Sequence, residues 1–382
     1  MRAHHRISLS LFSITVALAS AAWANPEFRV TVVGPAESYG NDINNAGVVV
    51  GTYAYSGSTT HGFLNRGAGL VDLGPRTIDA VAINDKGHVL GHWTTVAGQR
   101  RGFIYHGGSA HDIGVIPGQI TTYTDINYGG YITAYGQILD SMNGPHSYLR
   151  APDGTFTDIG SLPFDNPMTN AYAINNHKQI VGSSGPLVFP DQPLRAFIWN
   201  KGIMSDLGDF GFDPNVSLAI NDCGQVTGYA SLPEGFRNEV AFLYSKGRMV
   251  NIDGRPPTTD RYSGGTGINC HGHVVGYSNH LSGFIYRGRK MESLNALIDP
   301  KAGWDVYYPR AINNAGQIAA TAYRGKVRYA VRLDLIRPLS LRLPDEAATD
   351  DMGAPQSEAQ RKAEQELDAK AQASEVTRPV QQ

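Results

Sequence analysis

An Ile-Asn pair recurs seven times along this chain, at Ile43-Asn44, Ile83-Asn84, Ile126-Asn127, Ile174-Asn175, Ile220-Asn221, Ile268-Asn269 and Ile312-Asn313, at intervals of 40 to 48 residues. A period of that size is the size of a propeller blade, a unit that cannot bury its own apolar face and is stable only when stacked on its neighbours. The length of 382 residues would by itself suggest two or three domains, but the repeat runs through nearly all of it and predicts one.

Three residues after the asparagine stands a glycine, at Gly47, Gly87, Gly130, Gly224, Gly272 and Gly316, with Lys178 in the remaining copy. Asparagine caps a tight turn with its side chain and glycine supplies positive φ, so each Ile-Asn-x-x-Gly reads as a hairpin turn built on Asn44, Asn84, Asn127, Asn175, Asn221, Asn269 or Asn313. A half-buried strand follows, carrying Gly51, Gly91, Gly182, Gly228 or Gly276 where backbones approach closely, with Ala134 and Ala320 in two copies. Next comes an apolar strand such as Gly62-Phe63-Leu64 or Ala241-Phe242-Leu243, and then a third signature such as Val71-Asp72-Leu73-Gly74. With the strand entering Ile-Asn, the unit has four strands.

The last copy stops after its third strand, and the chain begins with a spare one, Phe28 to Val33. The expected fold is therefore an all-β, seven-bladed propeller over residues 25–336, its N-terminal strand completing the last blade and leaving no open edge at the seam. The repeat resembles the HAF-repeat extracellular proteins: Ile-Asn-x-x-Gly-x-Val-x-Gly, then Ala/Gly-Phe-Leu/Ile, then an Asp-Leu-Gly. The histidine of that family's name survives only in His61-Gly62-Phe63 and His146-Ser147-Tyr148. The resemblance implies an exported repeat protein and brings no catalytic residues with it.

Residues 1–24 join basic residues (Arg2, Arg6) to an apolar run ending in Ala22-Trp23-Ala24, the pattern of a signal peptide, which predicts export to the periplasm or the medium. Residues 337–382, rich in Ala, Glu, Gln and Lys, read as a polar, disordered tail. A net charge of −2 gives no basic footprint for nucleic acid or an anionic membrane, and no apolar run is long enough to span a bilayer.

Local motifs for chemistry are few. Asn84-Asp85 and Asn221-Asp222 suggest calcium, but one turn supplies too few oxygens, and turn capping explains them. His271 and His273 lie two apart on a predicted strand with His280 nearby, but position 273 reads as an exposed polar strand position and spacing identifies no third ligand, so neither metal nor cofactor is expected. Cys223 and Cys270 fall in equivalent turns of consecutive copies, which leaves open a disulfide or two free thiols. No nucleophile elbow, zinc-protease or phosphate-loop motif occurs, so no catalytic residue is assigned.

Copies three to five have the longest connections, opposite the Ile-Asn turns, and these place aromatics beside acids: Phe164 with Asp165, Phe189 with Asp191, Phe210 and Phe212 with Asp213, and Glu234. Such groups suit a sugar or a protein partner, the plain alternative being that the phenylalanines plug the loops onto the blades. The expected function is a non-catalytic, exported binding protein for a glycan or a protein. A propeller enzyme acting on extracellular polysaccharide, through acids among Asp165, Asp191, Asp213 and Glu234, and a purely structural repeat are the alternatives.

Overall fold

The computed structural model describes residues 26–57, 59–138, 144–187, 193–233, 238–255 and 260–337. The expected signal peptide and nearly all of the C-terminal tail lie outside them. Within them, twenty-eight strands form seven blades of four antiparallel strands; blades 5 and 6 are joined by a short parallel pairing of Asn238 and Glu239 with Arg261 and Tyr262. Each blade begins with its innermost strand: Ser38–Ile43, Thr77–Ile83, Gln119–Ile126, Pro167–Ile174, Phe212–Ile220, Arg261–Ile268 and Trp304–Ile312. All seven end on the isoleucine of the Ile-Asn pair, so the seven turns gather on one face of the disc.

The seam closes as the strand count requires. Phe28–Ala36 is the outermost strand of blade 7 and pairs antiparallel with Val327–Leu335, Phe28 opposite Leu335 and Val32 opposite Val331. Edges are not abolished, however. Every blade keeps an outermost strand, and two of these, Leu70–Asp72 and Phe156–Asp158, are held to three residues, too short to template another chain.

The core lies between blades. Val50 and Leu64 of blade 1 pack with Ile83, Val89 and Phe103 of blade 2, and Val181 and Ala196 of blade 4 pack with Val226 and Phe242 of blade 5. The phenylalanine of the third strand is fully buried in five blades, as Phe63, Phe103, Phe197, Phe242 and Phe284, each contributing about 1.5–3 kcal/mol. The glycine of the second strand makes room for it. A Cβ at Gly276 would fall 2.0 Å from the Gly264 carbonyl oxygen and 2.9 Å from the Phe284 ring.

Since the innermost strands run toward the asparagine turns, the links from second to third strand and from blade to blade emerge on the opposite face. The described stretches of the long connections of blades 3 to 5, such as residues 159–166 and 207–211, belong to that face.

Candidate functional site

The asparagine face is closed by two concentric rings of hydrogen bonds. In the inner ring the Nδ2 of each repeat asparagine donates to the main-chain oxygen of the next: Asn44 to Asn84, then to Asn127, Asn175, Asn221, Asn269, Asn313 and back to Asn44, at 2.8–3.1 Å. The Oδ1 meanwhile accepts from its own turn, for Asn44 from the amides of Ala46 and Val48. One side chain thus caps a turn and joins two blades.

The outer ring uses the residue after each asparagine. Backbone amides donate to the next blade's side chain from Asn45 to Asp85, Tyr128 to Asn176, Asn176 to Asp222, Cys270 to Asn314 and Asn314 to Asn45. It is interrupted where the acceptor would be Tyr128 or Cys270. Asp85 and Asp222 therefore bind neighbouring blades, each accepting a second bond from the Nδ2 of Asn45 or Asn176. Cys223 and Cys270 are free thiols, with the Cys223 Sγ 3.9 Å from the Cys270 carbonyl oxygen, so the disulfide alternative is not what the structure contains. His271 and His273 stack at 5.6 Å, and burial together with His271 lowers His273 to about 4. Among the described residues no group of three or more His, Cys, Asp or Glu side chains converges to hold a metal.

On the opposite face the loop candidates divide. Phe164 and Phe210 are half-buried against the cores between blades 3 and 4 and between blades 4 and 5, which is the plug arrangement. Asp165 is exposed, and Phe212 is 51% exposed at the start of its strand. Asp213 accepts from Asn215 and pairs with Arg195, which also binds Asp209. Phe189, Asp191 and Glu234 lie outside the described residues.

Among the described residues, a cavity of about 690 Å³ lies along the axis, within the range of small-molecule sites. Its walls come from a feature that pattern reading missed. Every innermost strand carries a β-bulge at the same register, so one extra residue per blade turns to the axis: Asn41, Val81, Thr124, Tyr172, Leu218, Thr266 and Arg310. The adjacent Ile-Asn is invariant in all seven copies while this position varies, a contrast that the repeats themselves display.

Blades 6 and 7 form an aromatic wall. The Tyr262 and Tyr277 rings lie 5.1 Å apart, and Tyr277 stacks on Tyr308 at 5.5 Å with 10° between planes. Tyr277 fits because Gly264 has no side chain; a Cβ there would stand 2.6 Å from the Tyr277 hydroxyl oxygen. Burial, with Tyr262 alongside, raises the Tyr277 pKa well above the ordinary phenol value, so it remains a neutral hydroxyl. Tyr172 and Tyr229 extend the wall through blades 4 and 5.

The facing wall is polar. Asp42 accepts from the amides of Ile43 and, across the blade boundary, Ile83; Asp125 does the same with Ile126 and Ile174. Burial and the neighbouring Asp125 charge raise Asp42 to about 8, and burial raises Asp125 to about 6. His92 is committed to structure, its Nδ1 on Asp79 and its Nε2 accepting from the Tyr123 amide. The seven repeat isoleucines line the shallow depression at the asparagine face, and Ile43, Ile220, Ile268 and Ile312 also border the cavity, forming an apolar layer between the two.

No protein-family model matches the chain, and no curated protein matches it by sequence. Solved structures do match in fold. The β-propeller domain of the Trilobed protease from Pyrococcus furiosus, described as having an open velcro topology, aligns over 81% of this chain and 99% of its own with a TM-score of 0.52 and 9% identity. The acylaminoacyl peptidase of Pyrococcus horikoshii aligns over 77% of this chain and 52% of its own (TM-score 0.50, 10% identity), and a Mycobacterium tuberculosis puromycin-hydrolyzing peptidase over 82% and 57% (TM-score 0.50, 10% identity). This chain spans about half the length of the two peptidases. At these identities the likeness establishes the β-propeller fold alone.

Proposed function

We propose that the chain is an exported, non-catalytic carbohydrate-binding propeller whose site is the axial cavity on the face opposite the asparagine rings. The observation that supports it best is the run of three tyrosines, Tyr262, Tyr277 and Tyr308, facing a wall of hydroxyl, amide and carboxyl groups across a cavity of about 690 Å³. Sugar rings present C–H faces that pack on aromatic planes and hydroxyls that need directional partners, and this cavity offers both. The groups stand on strands rather than loops, so little ordering entropy is lost on binding.

A polysaccharide hydrolase needs two carboxyl groups free for acid and for nucleophile or base work. In the cavity, Asp42 and Asp125 each accept two backbone amides that tie adjacent blades, a structural use of both oxygens. Export rests on the sequence pattern of residues 1–24, in line with the HAF-repeat resemblance.

The test is a screen of the purified protein against immobilised glycans, with Tyr277→Ala and Tyr308→Ala as controls and product analysis of each bound polysaccharide. The expected result is binding without chain cleavage, weakened by either substitution. Cleavage, or binding indifferent to both tyrosines, would overturn the reading.

A further inference from the structure

The bulge position of blade 7 differs in kind from the others. Where the other blades place Asn, Val, Thr, Tyr, Leu and Thr, blade 7 places Arg310, so the charge is no part of the repeat. Its side chain is exposed within the cavity, and among the described residues no carboxylate lies within 4 Å of it. The other cation bordering the cavity, Arg100, has Asp79 at 3.7 Å. Arg310 leans instead on the aromatic wall, its guanidinium 5.1 Å from the centre of the Tyr308 ring and its Nη1 3.4 Å from the Tyr308 hydroxyl.

We propose that the cavity selects acidic sugars, Arg310 pairing with the carboxylate of a uronic acid residue whose ring lies against the tyrosine wall. This rests on the carbohydrate reading above and adds a ligand class to it. A guanidinium presents a planar fork that binds a carboxylate through two parallel hydrogen bonds, and a neutral sugar leaves that fork unmatched. A sugar ring with a carboxyl substituent needs an aromatic plane and a planar cation within reach of one another; Arg310 lies over Tyr308 at one end of the tyrosine wall, and Tyr262 at the other end is 44% exposed. The acids across the cavity do not cancel the attraction. Asp42 and Asp125 turn their oxygens to backbone amides of blades 2 and 4, and burial keeps Asp42 mostly protonated at neutral pH, so Asp125 is the one of the two that carries charge there.

The experiment compares binding of galacturonate oligomers, the matching neutral galactose oligomers and an acidic peptide, polyglutamate, to the wild-type chain, Arg310→Gln and Arg310→Lys, with thermal melts as folding controls. The expected result is at least about tenfold tighter binding of the uronate over the neutral oligomer, a preference lost in Arg310→Gln, partly kept in Arg310→Lys and weakened by salt, with neutral binding falling far less than uronate binding. Equal binding of both oligomers with no effect of Arg310→Gln overturns the acidic preference and leaves the carbohydrate reading intact. A uronate preference that survives Arg310→Gln also overturns it. Binding of polyglutamate with neither oligosaccharide bound overturns both readings.

Discussion

The side chain of Asn313 donates to the main-chain oxygen of Asn44 at 3.0 Å, joining residues 269 apart in the sequence and closing the inner ring between the last blade and the first. The same asparagine accepts from the Gln317 amide, so it holds its own turn as well. Asn313→Asp keeps the turn acceptor and loses the donor, whereas Asn313→Ala loses both. Each missing bond is worth on the order of 1 kcal/mol. Chemical denaturation should rank wild type above both, with Asp no better than Ala because its carboxylate would be buried against the oxygens of Asn44 and Gln317; equal stability of all three would mean the ring contributes nothing.

Asp42 makes stability depend on pH. Its carboxyl holds a proton up to about pH 8 in the folded chain, against an ordinary value of 3.8, so the folded state binds more protons than the unfolded state across that interval. Stability from this group is complete below about pH 4, falls as pH rises, and levels off above about pH 8. Asp125, raised to about 6, adds a similar fall between about pH 4 and 6. Asp42→Asn loses one amide acceptor but removes the charge. Melting curves should find it less stable than wild type at pH 4 and more stable at pH 8.5, a crossover that a merely damaged fold would not give.

Lys178 occupies the turn position that glycine fills in the other six repeats, and does so at φ 62°. A non-glycine residue in that region is strained by about 1–2 kcal/mol, though glycine returns part of this as entropy in the unfolded chain. Lys178 also lies over the Tyr131 ring at 4.3 Å, a contact that glycine removes. Lys178→Gly should therefore raise stability by up to about 1 kcal/mol. A loss would show that the contact with Tyr131 outweighs the strain.

The two thiols should react at different rates. Cys223 is exposed, whereas burial and the neighbouring Cys223 thiol push Cys270 up to about 12, and the thiolate is the reacting form. Alkylation of the native protein at pH 8 should label Cys223 first, as read by peptide mass mapping. Faster labelling of Cys270 would contradict the arrangement of this turn pair.

The blade number and the seam were legible because both follow from counting: Ile-Asn recurs once per blade, and the strand missing after Leu335 reappears at Phe28. The turn role of Asn44 and its equivalents was legible for the same reason, being local. The second role, reaching into the next blade, was not, since it joins residues 40 to 48 apart along the chain. The axial site stayed hidden because a bulge adds one residue in mid-strand and redirects a side chain without a marker in local alternation. Tyr277 and Tyr308 meet only after blades 6 and 7 pack, and no spacing in the sequence announces that. Sequence alone fits Phe164 and Phe210 equally to binding groups and to plugs, and their packing against the cores between blades makes them plugs.

Four of the repeat isoleucines border both the axial cavity and the depression at the asparagine face. On the proposed reading, a sugar entering from the looped face meets hydrocarbon instead of hydrogen-bond partners at the far end, which favours holding the end or a side branch of a chain over threading it through.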